Sequence, residues 1–312
     1  MELHKKNINF IQELLETNRI LDGKNFSVTY FNSGGGTHLY LIEAEGTKYL
    51  ARINFYEPKN EWGIREQEYK VLKLLEPLSI APKVYYLSIK NELGQQLTIV
   101  DYIEGQPLDT ISDSHVISLS DTLKKLHTNT PFDKSGDTLP PTDDLPYECG
   151  IFDEFGNGED KRIEKYELAG IDEVTPHYNR IKNNLGEWFN GLEIFEDCTK
   201  FCLCHADLKS ENILDQNGRA VLIDWECAGS DIPETDIGRL FSGCQFTKEQ
   251  ETLFLKHYYN GNVEEISLQR IHAVKTVLDF FRIIEDFILL RRKEWNPNEM
   301  ILELQKFEKN LG

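Results

Sequence analysis

The stretch FCLCHADLKSENILDQNGRAVLIDWE, residues 201–226, decides the fold of this chain of 312 residues. It begins with an apolar run that ends in a polar cluster, and its second half is typical of a β-hairpin in which NIL and AVLID are strands and DQNG is the turn. Asp207, Asn212 and Asp224 fall at the ends of these strands, and a hairpin returns Asp224 to the neighbourhood of Asn212. We therefore expect three oxygen-bearing side chains to converge on one point.

This set of side chains suits phosphoryl transfer. Mg²⁺ prefers carboxylate and amide oxygens, and the reaction also needs a carboxylate that positions the attacking hydroxyl and accepts its proton. Asp207 is the candidate catalytic base, Asn212 and Asp224 are the candidate metal ligands, and Lys209 can reach the transferred phosphate as a point charge. Ordinary turn residues are the alternative, because Asp and Asn favour turns. The ordered set His-x-Asp-Leu-x-x-x-Asn followed by Ile-Asp favours the catalytic reading, since it matches a kinase catalytic loop.

HADLKSEN and IDWE resemble the catalytic loop and the metal-binding strand of the aminoglycoside phosphotransferase and choline kinase-like family, small-molecule kinases that share the protein-kinase fold. The resemblance extends from about residue 27 to residue 243, and Ala206 stands where the family often has Gly. It implies an α+β fold of two lobes, and a kinase that uses Mg²⁺ and ATP or GTP to phosphorylate an alcohol group. His205 would brace the catalytic loop by hydrogen bonds, and Asp236 would anchor the catalytic segment.

The first hundred residues support this resemblance independently, because they predict the order β-β-β-α-β-β of a kinase small lobe. The strands are FSVTYFN, HLYLIEA, KYLARINF, PKVYYLSI and QLTIVDYI, and the helix is EWGIREQEYKVLKLLEP. We place an N-terminal nucleotide-binding lobe, a small and mostly antiparallel sheet with one helix, at residues 1–103. A larger, mainly helical lobe with the catalytic loop and the acceptor site follows at residues 104–312.

The glycines of SGGGT, which are Gly34, Gly35 and Gly36, lie between the first two predicted strands. In the kinase interpretation they form a loop over the nucleotide phosphates, because glycine permits close backbone approach and successive N–H groups favour anions. A plain hairpin turn is the alternative.

The resemblance places the other nucleotide contacts in the third strand, the helix and the connection between the lobes. Arg52 stands at the phosphate-binding lysine position, with Glu68 as its ion-pair partner and Glu66 as the second choice. Arginine in place of lysine changes the geometry, because the two cations are not interchangeable. The main chain of the hinge would hold the adenine, at Asp101, Tyr102 and Ile103.

Two rival functions stay open. A protein serine/threonine kinase needs DFG and a long segment ending in APE, whereas this chain has DWE and a short segment that reaches Asp236 without APE. A non-catalytic nucleotide-binding pseudokinase is the other rival, and the presence of Asp207, Asn212 and Asp224 counts against it. The absence of GxxxxGK[ST] excludes a P-loop enzyme.

Composition excludes further classes. The chain carries 34 Lys and Arg against 53 Asp and Glu, a net charge of −19, which disfavours nucleic-acid binding and docking on an anionic membrane. Charged residues interrupt both the N-terminal segment and the apolar run VLDFFRIIEDFILL, so we expect neither a signal peptide nor a membrane span. Six cysteines without an export signal indicate reduced thiols in a cytoplasmic protein. The spacing of Cys198, Cys202, Cys204 and His205 favours buried thiols over a zinc site.

The acceptor is the least determined part of the prediction. Amino alcohols, aminoglycosides and sugar-like molecules are the candidate classes, and a cationic acceptor fits the acidic chain. Residues 131–175 hold 13 Asp and Glu against 4 Lys and Arg, so they form either a solvated insertion or an acidic rim around the acceptor pocket. Trp225 and Glu226 are candidate substrate contacts, Trp225 as the wall of an ammonium site or as a buried core residue. The oligomeric state is left open.

Overall fold

The computed structural model describes residues 2–21, 23–34, 36–54, 64–89, 91–108, 110–132, 171–196, 198–287 and 296–311. The chain divides into two compact units, one of Met1–Leu108 with Glu211–Ala228 and the other of Asp109–Ser210 with Gly229–Gly312. The first unit therefore extends past the predicted boundary at residue 103 and includes the hairpin of the decisive stretch. The physical reason is strand pairing, because residues 106–107 form a strand that pairs with the hairpin.

The first unit is built on an antiparallel sheet of five strands in the order β1-β2-β3-β5-β4. Its elements are α1 (Glu2–Thr17), β1 (Phe26–Gly34), β2 (Thr37–Ala44), β3 (Thr47–Asn54), α2 (Ile64–Leu75), β4 (Val84–Ser88) and β5 (Leu97–Asp101). The five predicted strands and the predicted helix are all present. Helix α1 was not predicted, although Ile11, Leu14 and Leu15 have helical spacing and pack into the core of the sheet.

A second, three-stranded sheet completes the first unit. It consists of β6 (Gln106–Pro107), β9 (Ile213–Gln216) and β10 (Arg219–Leu222), in the order β10-β9-β6. Asn217 and Gly218 connect the hairpin with φ values of 58° and 84°, the left-handed conformation that a two-residue Asn-Gly turn requires. The hairpin predicted from NIL, DQNG and AVLID is therefore present with that turn.

The second unit is mainly helical, with one short sheet. Its elements are α3 (Asp113–Asn129), β7 (Pro131–Phe132), α4 (Ile171–Asn190), β8 (Phe201–Cys204), β11 (Gly229–Asp231), α5 (Pro233–Gly243), α6 (Lys248–Tyr258), α7 (Glu265–Glu285) and α8 (Pro297–Leu311). Helices α4, α7 and α8 share one hydrophobic core, in which the rings of Tyr178 and Phe280 stack at 5.4 Å.

The apolar stripe predicted near the C-terminus lies on α7. Ile271, Val274 and Phe281 are buried and Leu278 is partly buried, while the side chain of Ile284 and residue Ile288 lie outside the described residues. Residues 133–170 of the acidic segment also lie outside them. The described cysteines are free thiols. Among the described residues, no helix combines the length and the apolar character needed to cross a bilayer.

Candidate active site

Arg52 lies at the centre of a cluster of charges in the first unit. Its neighbours Ala51 and Ile53 point into the hydrophobic core, so strand alternation turns Arg52 to the opposite face of the sheet. There its guanidinium donates to the carboxylates of Glu68 on α2 and Asp224 after β10. Glu66 contacts Lys70 instead, at 3.0 Å, which is a pair on the same helix.

Arg65 is the member of this cluster that the sequence analysis missed. Its side chain is 1% exposed and donates to Glu68, to Asn54 Oδ1 at 2.6 Å and to Thr37 Oγ1 at 2.8 Å. It also donates to Glu226 Oε2 at 3.0 Å. The available signal was its position three residues before Glu68, since residues at that spacing face each other on a helix.

The cluster holds two guanidinium groups and three carboxylates, an excess of one negative charge. Burial alone would lower the pKa of Arg52, but the carboxylates of Glu68, Asp224 and Glu226 outweigh it and raise that pKa. Burial and the neighbouring carboxylate of Asp224 raise the pKa of Glu226. The excess negative charge favours binding of a cation. The Asp224 side chain is 33% exposed, so a cation from solvent can reach its carboxylate.

Replacing Arg65 with methionine is expected to reduce the free energy of unfolding by about 3–5 kcal/mol, because it leaves buried carboxylates without one of their two cations. Arg65→Lys should cost less, since it keeps the charge and loses the planar fork. Urea unfolding measures the difference. The exposed Arg219 is a matched control, and Arg219→Met should change stability by no more than about 0.5 kcal/mol. A loss below about 1 kcal/mol in Arg65→Met would contradict the importance of this cluster for the fold.

The two candidate metal ligands lie together in the hairpin of the first unit. The Ile223 N–H donates to the Asn212 carbonyl at 3.0 Å, so Asp224 follows directly after a residue that pairs with Asn212. Asp224 has φ of 66°, a left-handed conformation that costs energy for a residue with a side chain. Backbone strain of this kind is concentrated at functional sites.

Trp225 and Glu226, the candidate substrate contacts, have different surroundings in the structure, and Trp225 is the buried core residue of the two alternatives. Trp225 is fully buried and its indole N–H donates to the Leu222 carbonyl at 3.2 Å, so the ring offers no face to a ligand. Packing between α2 and the short helical turn Trp225–Cys227 explains this burial. Glu226 belongs to the cluster of charges around Arg52, where it contacts Arg65 and lies 3.7 Å from Arg52.

The three hinge residues differ in whether the backbone N–H already donates to a backbone carbonyl. The N–H of Asp101 donates to Lys83 O at 2.9 Å, and that of Tyr102 donates to Lys48 O at 3.3 Å. Among the described residues, the N–H of Ile103 has no such backbone partner. At the other end of the sheet, Gly34 pairs with Thr37 and Gly36 has φ of 80°, while Gly35 lies outside the described residues.

The catalytic-loop candidate lies in the second unit, where the buried carboxylate of Asp236 holds its backbone. Asp236 accepts from the N–H groups of His205 at 2.8 Å and Ala206 at 2.9 Å. The fully buried His205 accepts in turn from the Asp207 N–H at 3.3 Å. Ala206 has φ of 63°, which glycine adopts without strain, and this is a physical reason for the glycine often found here in the resembling family.

The same loop is held from its other side by helix α5. A Cβ atom added at Gly243 would overlap the carbonyl oxygen of Leu208, so the loop and the helix approach as closely as glycine allows. Asp207 and Lys209 project from this support. Their side chains are 29% and 46% exposed, and Lys209 Nζ lies 2.8 Å from Asp207 Oδ2.

His127 supports Asp236 from helix α3. Because a carboxylate only accepts, His127 Nε2 donates to Asp236 Oδ2, at 3.1 Å, and the other ring nitrogen is hydrogen-bonded to the Tyr258 hydroxyl at 2.6 Å. Burial alone would raise the pKa of Asp236, and the contacts from His127, His205 and Ala206 outweigh it, so its pKa is lowered.

Replacing His127 with alanine is expected to make the protein more sensitive to acid. A carboxylate with a lowered pKa stabilises the fold above its ordinary pKa and loses this contribution as the pH falls through the folded value. Without His127, burial should raise the pKa of Asp236, so the variant should lose stability at a higher pH than the unmodified protein. Thermal unfolding between pH 3 and pH 7 measures this. Tyr258→Phe keeps the His127–Asp236 contact and should leave the acid midpoint in place, and equal midpoints for all three proteins would refute the role of His127.

A cysteine cluster next to this support does not have the properties of a metal site. The ligand atoms of His127, Cys202 and Cys204 lie within 4.8 Å of one another. However, both ring nitrogens of His127 are already hydrogen-bonded, and burial raises the pKa of both thiols, which favours the protonated form. These cysteines are therefore packed as small apolar side chains.

A kinase-like phosphotransferase is defined by three features: a five-stranded antiparallel sheet, an ion pair between an arginine of that sheet and a glutamate of α2, and a braced His-x-Asp loop in a helical unit. The model of the phosphotransferase enzyme family matches residues 27–265, and the chain belongs to this family. The match begins where the resemblance was predicted to begin and extends beyond residue 243. The predicted class, a small-molecule kinase of the aminoglycoside phosphotransferase and choline kinase-like type, is thereby confirmed at the level of the family.

Solved structures confirm the predicted α+β two-lobe kinase-like fold. A choline kinase from Cryptosporidium parvum is 16% identical, with a TM-score of 0.64 over 97% of this chain and 96% of that chain. An aminoglycoside phosphotransferase in complex with streptomycin and ATP is 20% identical, with a TM-score of 0.62 over 95% and 97%. The choline kinase LicA from Streptococcus pneumoniae is 20% identical, with a TM-score of 0.59 over 96% and 99%. These identities establish the fold and leave the acceptor open.

A curated relative matches a shorter part of the chain. Protein LicA of Haemophilus influenzae is 36% identical over 69 residues, which are 21% of this chain and 26% of the relative. The match thus spans about a quarter of that relative's length.

Proposed function

We propose that this protein is a Mg²⁺-dependent kinase that transfers the γ-phosphate of ATP, or of GTP, to a hydroxyl group of a small molecule. The observation that carries the proposal is the contact of Arg52 with both Glu68 and Asp224. Phosphoryl transfer needs a cation for the nucleotide phosphates and a carboxylate for the metal, and this contact joins the two within the first unit.

The residues present fit a magnesium ion. Asn212 and Asp224 supply an amide and a carboxylate oxygen from adjacent positions of one hairpin, and the arginine cluster around Asp224 has an excess of negative charge. When bound, the ion would neutralise charge between the β- and γ-phosphates. Asn212 and Asp224 would hold it.

The nucleotide itself would be bound by residues of the first unit. Arg52, oriented by Glu68, would hold the phosphates, and the backbone at Gly34, Gly35 and Gly36 would cover them. The main chain of Asp101, Tyr102 and Ile103 would hold the base, with the N–H of Ile103 as the donor.

Asp207 and Lys209 would act on the transferred group. Asp207 would orient the acceptor hydroxyl and take its proton as the oxygen forms its bond to phosphorus and the bond to the leaving ADP oxygen breaks. Lys209, now paired with Asp207, would reduce the charge on the transferred phosphoryl group. Asp236, His127 and His205 would keep the loop in position.

The acceptor classes that we propose are amino alcohols, aminoglycosides and sugar-like molecules, with no nucleic-acid or membrane partner. The solved relatives include a choline kinase and a complex with streptomycin, which supports a small hydroxyl compound without selecting one. We also propose a cytoplasmic location, which cell fractionation would test.

An ADP-release assay tests the function. The purified protein is incubated with Mg·ATP and, one at a time, with choline, ethanolamine, aminoglycosides, sugars and nucleosides, and with a peptide that carries serine and threonine. We expect turnover with at least one small molecule and none with the peptide. Turnover of the peptide alone would indicate a protein kinase. Tight binding of Mg·ATP without any turnover would indicate a non-catalytic nucleotide-binding protein.

A further inference from the structure

A cavity of about 150 Å³ lies beside Asp207, within the second unit. The catalytic-loop candidate, the C-terminal half of α5 and the C-terminal part of α7 line it. The polar side chains that line it are Asp207, Lys209, Arg239, Ser242 and Arg282. The candidate base thus faces an open cavity that is large enough for a compound of only a few carbon atoms.

The charge of this lining is opposite to that of the chain. Lys209, Arg239 and Arg282 contribute three positive charges against the single carboxylate of Asp207, whereas the whole chain has a net charge of −19. Asp279 lies behind the lining on α7, where Lys275 and Ser242 contact its carboxylate at 2.7 Å each. A cationic acceptor would find repulsion here, and an anionic group would find attraction.

Arg282 has the group that can bind an anion directly. Its Nη2 lies 3.3 Å from Asp279 Oδ1, a longer contact than those that Lys275 and Ser242 make to the same carboxylate. Its Nε is buried and has no hydrogen-bond partner among the described residues. This buried Nε is closed to a ligand, whereas the side chain as a whole is 39% exposed, so the terminal nitrogens of the guanidinium can donate to the oxygens of a carboxylate.

The rest of the lining is apolar. Phe281 is 3% exposed and Leu278 is partly buried, and both precede Arg282 on α7. Such a wall suits a short carbon chain between the two ends of a ligand.

We propose that the acceptor is a small hydroxy acid whose carboxylate binds Arg282 while its hydroxyl faces Asp207. This inference rests on the proposed catalytic role of Asp207, and among small alcohols it selects those that carry a carboxylate in place of the cationic acceptors named above. Arg239 and Lys209 supply the surrounding positive potential, and Phe281 and Leu278 contact the carbon chain.

Pairs of acceptors that differ by one carboxylate test the proposal. L-Serine is compared with ethanolamine, and L-homoserine with 3-aminopropan-1-ol, by ADP release with Mg·ATP. We expect kcat/KM to be higher for the carboxylate-bearing member of at least one pair by about 10- to 100-fold, the effect of a charge-assisted hydrogen-bond pair.

Arg282→Gln should remove this preference, mainly through a higher KM for the hydroxy acid, and leave the amino alcohol and the KM for ATP unchanged. Arg282→Lys keeps the charge without the fork and should fall between the two. Arg180→Gln is the matched control, because it removes an exposed cation that pairs with Glu308 and does not line the cavity. The Arg180→Gln variant should prefer the hydroxy acid over the amino alcohol to the same extent as the unmodified protein. A preference for the amino alcohols, or one that Arg282→Gln leaves intact, would overturn the proposal while the kinase function stands.

A binding measurement separates the two possible failures. L-Homoserine and L-serine are titrated into the protein with Mg·ADP in a calorimeter, so that no catalysis is needed. Binding that Arg282→Gln abolishes would support the proposal even if no acceptor in the assay turned over and the kinase function failed. Absence of binding by both hydroxy acids would overturn it.

Discussion

Replacing Asp207 with asparagine is expected to lower kcat by about 10²- to 10⁴-fold, the usual contribution of a positioned general base. Asparagine keeps the size of the side chain and an acceptor for Lys209, but it cannot take the proton of the acceptor hydroxyl. The loop should stay in place, because its support does not involve the Asp207 side chain: the Asp236 carboxylate accepts from the backbone N–H groups of His205 and Ala206. The affinity for Mg·ATP should therefore be nearly unchanged.

Steady-state kinetics and calorimetry with Mg·ADP measure these two quantities separately. An interaction made only in the transition state lowers kcat and kcat/KM together. Glu211→Gln is a suitable control, because it removes an exposed carboxylate from the same segment. If Asp207→Asn retained full activity, the assignment of the base would be wrong.

Asp224→Asn is expected to abolish Mg²⁺-dependent nucleotide binding. Loss of a metal ligand should exceed the roughly 10- to 100-fold that loss of an outer hydrogen-bonding partner costs in metal affinity. Asparagine tolerates the left-handed φ of 66° at this position, so the variant changes the charge and not the backbone. Arg52 should remain held by Glu68.

Calorimetric titration of ADP with and without Mg²⁺ gives the expected contrast. The unmodified protein should bind ADP more tightly with Mg²⁺, and Asp224→Asn should show the same weak affinity in both. Glu92→Gln, an exposed change in the same unit, should behave like the unmodified protein. A variant Asp224→Asn that bound Mg·ADP normally would contradict the metal role.

Strand alternation and turn residues were enough to predict the sheet of the first unit. The β-β-β-α-β-β order follows from runs of alternating apolar residues between turns, and such patterns depend only on near neighbours along the chain. In helix α1, the apolar residues Ile11, Leu14 and Leu15 have helical spacing, so this helix too has a local signal in its sequence. Which strands share a unit with the hairpin of residues 211–228 was not predictable, because that depends on pairing with residues 106–107.

The candidate site likewise contains residues that the sequence predicts and residues that only the tertiary structure brings together. Asp207, Asn212 and Asp224 stand out because their spacing is a pattern within one short stretch. Trp225 stands in that stretch too, and its burial follows from packing against α2, which spacing cannot reveal. Arg65 and Glu226 meet although 161 residues separate them.

The sequence by itself determined which chemistry to expect of this protein, since residues 201–226 contain motifs that resemble a kinase catalytic loop and its metal-binding strand. It also determined the family, through motifs that are local. The tertiary structure alone decided how that stretch is supported and what lies beside it: His127 reaches Asp236 across 109 residues, and Arg282 lines the cavity next to Asp207. The physical reason is that hydrogen bonds and ion pairs between distant residues depend on how helices pack. The spacing of Asp207, Asn212 and Asp224, in contrast, is a property of one short stretch of sequence.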